Sequence, residues 1–191
     1  MPDRSDIRIR KEAEELMRQL TLDEKLGMLH GAELFRTASV ERLGIPALTM
    51  SDGPMGVRQE FEPASWKCVG HHDDYVTYLP CNSALAATWN RRLAELTGEV
   101  LGAEARGRGK DVILGPGVNI KRSPLCGRNF EYFSEDPLLA GKCSAAVING
   151  VQSKGVGTSL KHFACNSQEA FRMVLNEVID ERTMREIYFP A

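Results

Sequence analysis

Three short apolar runs, the first two ending in residues that break a strand, alternate along this chain with segments of helical period. Residues 45–50, Ile45-Pro46-Ala47-Leu48-Thr49-Met50, read as a buried strand that stops at Ser51-Asp52-Gly53-Pro54. Asp111-Val112-Ile113-Leu114 stops at Gly115-Pro116-Gly117, and a third strand is expected over residues 158–163, through Lys161-His162-Phe163. Residues 8–20 carry apolar side chains at helical spacing, and Thr21-Leu22-Asp23-Glu24 is a capping box for a second short helix. Asn90 opens a helix whose expected buried face is Leu93, Leu96, Val100 and Leu101, with a stop at Gly107-Arg108-Gly109. Asp136-Pro137 starts another, built on Leu139, Cys143, Ala146, Val147 and Val151, and a last helix begins near Asp180. Residues 61–80 follow neither period and read as a long loop of the kind that often carries function. Strands alternating with helices make an α/β fold of parallel strands with outer helices, either an open doubly wound sheet or a barrel. In both, ligands bind at the carboxyl ends of strands. Those ends here carry Asp52, the Gly-Pro-Gly turn and Lys161-His162.

Composition removes several classes of function. The 191 residues are 42% hydrophobic and 26% charged, with 24 basic against 26 acidic side chains for a net charge of -2, so the chain is globular and not disordered. The charges are scattered, which argues against a nucleic-acid groove or an anionic membrane surface. No apolar stretch reaches the 18 or so residues of a membrane span, and the N-terminus lacks the apolar core of a secretion signal. The five cysteines are odd in number and never in a C-x-x-C pair, which fits reduced thiols and a cytoplasmic protein. No G-x-G-x-x-G follows a strand, and Gly109-Lys110 lacks the Ser or Thr of a phosphate loop, so no nucleotide or other cofactor is expected. Cys68, His71, His72 and Asp73 have metal-ligating side chains, but no second cluster completes a zinc site, and no metal is expected either.

Among the polar residues, Lys161 stands out because Leu160 and Phe163 place it in an apolar run, where a lysine is costly unless paired. His162 adjoins it at a strand end. Cys165 lies past the expected tip of that strand, away from the imidazole. Asp52 is by itself an ordinary turn residue before Gly-Pro. Arg122 and Arg128 are loop cations, for which Glu131, Glu135 and Asp136 are natural partners.

Together these residues form a recognisable order. Leu48-Thr49-Met50-Ser51-Asp52-Gly53-Pro54-Met55-Gly56-Val57-Arg58 is followed by Gly115-Pro116-Gly117-Val118-Asn119-Ile120 and by the run from Gly127-Arg128-Asn129-Phe130-Glu131-Tyr132 to Asp136-Pro137. Lys161-His162-Phe163, Asn166-x-Gln168-Glu169 with Arg172, and Ile179-Asp180-Glu181-Arg182 through Tyr188 complete it. From Leu20 onward the chain resembles the N-terminal part of family 3 glycoside hydrolases. The resemblance implies a partial (β/α)8 barrel, about its first half, whose rim binds the non-reducing terminal sugar. Asp52, Arg128, Lys161, His162 and Arg172 match the family's sugar-binding groups, and a small carbohydrate is the expected partner. Carboxylate, guanidinium, ammonium and imidazole groups suit a ring of hydroxyls through charge-assisted hydrogen bonds.

The family's nucleophile is an aspartate in a Ser-Asp-Trp-like motif on a later strand. Trp66 and Trp89 are the two tryptophans here and neither follows Ser-Asp, so no catalytic residue is assigned within residues 1–191. A complete barrel takes about 250 residues, and the chain is expected to be the early portion of one. The implied activity is that of a retaining exo-β-glycosidase, a β-glucosidase in the first instance. The alternative is a non-catalytic carbohydrate-binding or interaction module derived from that barrel. Half a barrel would leave strand edges open, with residues 112–114 facing solvent or pairing two chains into a homo-oligomer.

Overall fold

The computed structural model describes residues 4–70 and 75–191 and divides into two compact units, residues 1–49 with 61–67, and residues 50–60 with 68–191. In the first unit, α1 (Arg4–Gln19) starts earlier than its apolar spacing predicts, and α2 (Leu22–Gly27) follows the capping box as expected. Thr21 and Glu24 bond reciprocally through side chain and backbone. Glu24 is also held by Arg42, whose hydrogen bond pulls its carboxyl down to about 2. A small antiparallel hairpin, β1 (Gly31–Glu33) with β2 (Arg36–Thr37), goes unannounced in the sequence because two or three residues show no period. Phe35, Phe61 and Trp66 meet edge-on and stacked at centroid distances of 5.4–6.0 Å.

The second unit holds the parallel layer. Strands β3 (Met50–Asp52), β4 (Val112–Leu114) and β5 (Gly157–Thr158) run in the order β3-β4-β5, with Ser51 beside Ile113 and Ile113 beside Thr158. Parallel strands with interleaved helices are therefore present, and among the described residues the sheet is three-stranded and open, without a closed barrel. All three strands are shorter than the apolar runs suggest. The first begins at Met50, where residues 45–50 were the expected strand, and the third ends at Thr158, although Lys161 still bridges to Gly117. β4 is the central strand, so it is β3 and β5 that flank the layer, contrary to the expectation that residues 112–114 lie at an edge.

The helices between strands are α3 (Asn82–Ala87), α4 (Arg91–Gly107) and α5 (Pro137–Gln152). Asn90 caps α4 through Arg92 N and Leu93 N, Asp136 caps α5 through Leu138 N, and each such cap contributes about 1 kcal/mol. α3 falls inside no recognised start pattern and emerges only in the structure. The buried face of α4 is Ala94, Gly98, Leu101, Gly102 and Ala105, whereas Leu93 and Leu96 stay 42% and 46% exposed. Small residues on that face let α5 approach until a Cβ at Gly98 would lie 2.1 Å from Val147 O, and one at Gly150 would lie 2.2 Å from Glu95 O. Backbone contact thus replaces the leucine packing that hydropathy suggests. Leu101, Ala105, Ile113, Phe133, Val147, Val151 and Val156 form the core beneath. The chain closes with a turn of helix α6 (Glu181–Thr183), capped by Asp180, running into a wider turn at Met184–Tyr188.

Candidate functional site

The carboxyl end of β3 turns sharply. Gly53 has φ +111°, and a Cβ there would sit 1.9 Å from Gly56 O, so only glycine makes the turn. This turn aims Asp52 back over the strand tips. Its Oδ1 accepts from Gly53 N at 2.9 Å and from Lys161 Nζ at 2.6 Å, and its Oδ2 accepts from Arg58 at 3.0 Å. Burial works against the charge on Asp52, but Lys161, with Gly53 N and Arg58, holds the carboxyl below its usual range.

Backbone bonds set Lys161 in place, its N–H donating to Pro116 O at 3.1 Å and its carbonyl accepting from Val118 at 2.7 Å. The side chain is 13% exposed and paired, as its cost requires. Its neighbours differ from expectation, since Leu160 and Phe163 are 43% and 89% exposed. They point away from the core, and Lys161 is the residue that turns inward. Its Nζ also lies 2.9 Å from Oε1 of Glu131, a carboxylate only 5% exposed, whose Oε2 takes two donors from Arg128. Asn82, at the start of α3, anchors this loop by donating to Glu131 O at 2.6 Å. Arg128 reaches on to Glu169 at 3.6 Å, and Glu169 to Arg172 at 3.6 Å.

The result is an alternating line of charge, Arg58, Asp52, Lys161, Glu131, Arg128, Glu169, Arg172. It brings Asp52 and Lys161 together directly and adds Arg128 through Glu131. His162 and Arg172 sit further along. His162 turns its ring towards Tyr132, whose Oη is 2.9 Å from Nδ1, while the half-exposed Arg172 joins the group only through Glu169. Burial, with the cations Arg128 and Lys161, lowers the imidazole to about 4, and burial raises the Tyr132 phenol to about 12.

Two clefts flank this line. One, of about 300 Å³, is lined by Asp52, Arg58, Arg128 and Glu131 with the apolar surfaces of Met55 and Phe130, and by Val76, Thr77 and Tyr78 of the long loop. Thr77 is fixed there by Glu104 of α4, to which its N–H donates at 3.0 Å. The other, of about 290 Å³, carries His162, Asn166, Gln168 and Arg172. Both lie at the small end of ligand sites.

Sequence reasoning quoted Arg58, Glu131, Tyr132, Asn166 and Glu169 within the family motifs but assigned none of them to the sugar site, and gave Glu131 a role only as a partner for loop cations. A usable signal existed in the three-residue spacing of Arg128 with Glu131 and of Asn166 with Glu169, which a single turn can close. Cys165 is buried, its Sγ 3.0 Å from Met184 Sδ and its thiol raised by burial, and it lines the same cleft of about 290 Å³ as His162. Among the described residues no three His, Cys, Asp or Glu side chains converge as metal ligands, and no helix is long and apolar enough to cross a membrane. His71, His72 and Asp73 lie outside the described residues.

Compared with known proteins, residues 17–188 match the glycosyl hydrolase family 3 N terminal domain. The chain belongs to that family. This family 3 chain is 49% identical over 176 residues to thermostable beta-glucosidase B of Acetivibrio thermocellus, covering 92% of itself and 23% of that relative. It is 45% identical over 175 residues to an exo-alpha-(1->6)-L-arabinopyranosidase of Bifidobacterium longum, again with 92% and 23% covered. A solved structure of beta-glucosidase 3B from Thermotoga neapolitana in complex with alpha-D-glucose superposes on it with a TM-score of 0.83 at 41% identity, over 93% of this chain and 26% of that one. The family 3 chain thus spans about a quarter of the length of the relatives it matches.

Proposed function

We propose that the protein carrying this chain hydrolyses O-glycosidic bonds as a retaining exo-β-glycosidase, releasing a non-reducing terminal glucose, and that this chain supplies sugar-binding groups. β3, β4 and β5 are then the early strands of the family's barrel. The observation that carries the reading is the meeting of Asp52, Lys161 and Arg128 over the strand ends in a member of this family. A carboxylate and two kinds of cation can offer their remaining lone pairs and N–H groups to sugar hydroxyls while keeping these ion pairs, so that no buried charge loses its partner. Phe130, 49% exposed beside them, offers an apolar plane to a sugar ring.

Binding, and not the covalent step, is what these carboxylates suit. A retaining enzyme needs one carboxylate as nucleophile and one carboxylic acid whose pKa is raised, about 5–5.5 Å apart. Asp52 is shifted the opposite way from that acid, and Asp52, Glu131 and Glu169 are each shared between two cations, which ties up the lone pairs an attack would need. Both chemical roles fall in this reading to carboxyls outside residues 1–191.

A panel of aryl glycosides given to the full-length protein tests it. Aryl β-D-glucoside should be the best substrate, with aryl α-L-arabinopyranoside included because a relative bears that activity in its name. Absence of turnover on every aryl glycoside of the panel sinks the proposal, and a better rate on the arabinopyranoside would replace glucose with a pentopyranose.

A further inference from the structure

Behind the proposed sugar site runs a line of hydrogen bonds whose direction is fixed at one end. Glu169 lies 3.6 Å from Arg128 and 3.6 Å from Arg172, and a carboxylate between two guanidinium groups only accepts. Asn166 donates to it through Nδ2 at 2.7 Å, so the amide nitrogen and not its oxygen must face Glu169. The second N–H of that amide goes to Tyr132 Oη at 2.8 Å. A phenol accepting there has its own proton left to give, and the group 2.9 Å away is Nδ1 of His162. A neutral imidazole whose Nδ1 accepts carries its proton on Nε2. The tautomer follows from the acceptor-only carboxylate at the start of the line, without any need to see hydrogens.

Geometry elsewhere supports this order. Tyr132 is 0% exposed and cannot itself meet a ligand. Its ring lies edge-on to the imidazole at 5.8 Å, over Gly117, where a Cβ would come 3.0 Å from the ring. A phenylalanine would fill the same space, which leaves the hydroxyl's two hydrogen bonds as its distinctive contribution. Nε2 of His162 makes no hydrogen bond among the described residues, and the ring lines the cleft of about 290 Å³. The ring stays neutral well below pH 7 because burial, Arg128 and Lys161 outweigh Glu131 and Glu169.

We propose that Tyr132, oriented by Asn166, is a positioning residue that locks His162 in its Nε2–H form, so that the imidazole meets a sugar hydroxyl as a hydrogen-bond donor. The destination of that donor rests on the sugar-binding reading above, whereas the lock itself does not. An unlocked ring would spend part of its time presenting a lone pair instead, and each such molecule would have to change tautomer before binding. The loss on removing the hydroxyl should be close to that of one hydrogen bond, about tenfold in kcat/KM.

The full-length protein labelled with ¹⁵N-histidine provides the test, by long-range ¹H–¹⁵N correlation without substrate and by kinetics on an aryl β-glucoside. In the wild type the His162 signals, assigned by their loss in His162→Gln, should show Nδ1 bare and Nε2 protonated. Tyr132→Phe should move both nitrogens towards the average of the two tautomers and lower kcat/KM about tenfold. In a His162→Gln background the same change should cost less than about twofold, because coupled residues are not additive. An Nδ1–H form in the wild type, an unchanged pattern in Tyr132→Phe, or an undiminished Tyr132 effect without His162 would each overturn the proposal. If Tyr132→Phe fails to fold, Asn166→Asp replaces the donor to Oη by an acceptor that draws the phenol proton to itself and should shift the ring towards its Nδ1–H form; an unchanged pattern there overturns it equally. Absence of glycosidase activity would remove the sugar-binding reading while the substrate-free spectra still decide the lock.

Discussion

Lys161 holds Asp52 at 2.6 Å and Glu131 at 2.9 Å, so two carboxylates share its ammonium over the strand tips. Lys161→Ala and Asp52→Asn in the full-length protein should each lower kcat/KM on an aryl β-glucoside by about thirtyfold or more, the effect of losing one preorganised charged donor or acceptor. Retention of near-wild-type kcat/KM by both would remove them from the sugar site. Protonation gives an independent check on the same cluster. His162 is lowered in the folded state to about 4 from an ordinary 6.5, and Asp52 is lowered too. In each case the unfolded chain binds the proton first, so stability is complete above pH 6.5 and falls as the pH drops from 6.5 towards 4, the Asp52 contribution being lost at lower pH still. Urea midpoints measured across that range should decline less steeply in His162→Gln than in the wild type, and parallel curves would show that the ring is not buried neutral. Lys161 was legible in the sequence because a lysine in an apolar run demands a partner, whereas Asp52, an ordinary turn residue on its own, stood out only through the family resemblance. Tyr132 was not, since a tyrosine among Phe130 and Phe133 looks like core and its partner Asn166 lies 34 positions away in the chain.

At the level of the element, caps were readable and faces were not. Asn90, Thr21 and Asp136 each occupy the N-cap that their side chains suit, because capping is a contact within one turn. The buried face of α4 escaped a hydropathy reading because it is defined by side chains that are missing. Gly98 and Gly150 let the backbones of α4 and α5 touch, and a pattern of apolar residues gives glycine no weight. Gly150→Val should therefore destabilise the protein by about 3 kcal/mol or more, since the new Cβ meets Glu95 O, a backbone atom that cannot move aside alone. Gly107, the last residue of α4, has nothing within 4 Å of a built Cβ, and Gly107→Ala should gain up to about 1 kcal/mol. Thermal shifts of opposite sign in these two variants are expected, and a neutral Gly150→Val would mean that the helices are not in backbone contact.

Across the whole molecule, the alternation of elements correctly announced parallel strands with helices between them, while the extent of the sheet was hidden. Hydropathy marks where a strand is apolar, and only pairing decides where it ends. β5 has two residues, although the apolar run around it is longer, and Leu160 and Phe163 beyond it are exposed. From there to residue 178 lies an unusual density of large apolar side chains in solvent, with Phe163, Phe171, Met173, Val174 and Val178 between 79% and 89% exposed. Parallel sheets are ordinarily covered on both faces, and unpaired strand edges recruit further strands. The stretch that bears Lys161 and His162 thus lies next to surface that water does not favour. Expressed as residues 1–191 alone, the chain should bind a hydrophobic dye and elute from size exclusion above its monomer mass, and replacing Phe171 and Val174 by serine should reduce both. A dye-negative monomer would show that these side chains are covered in solution.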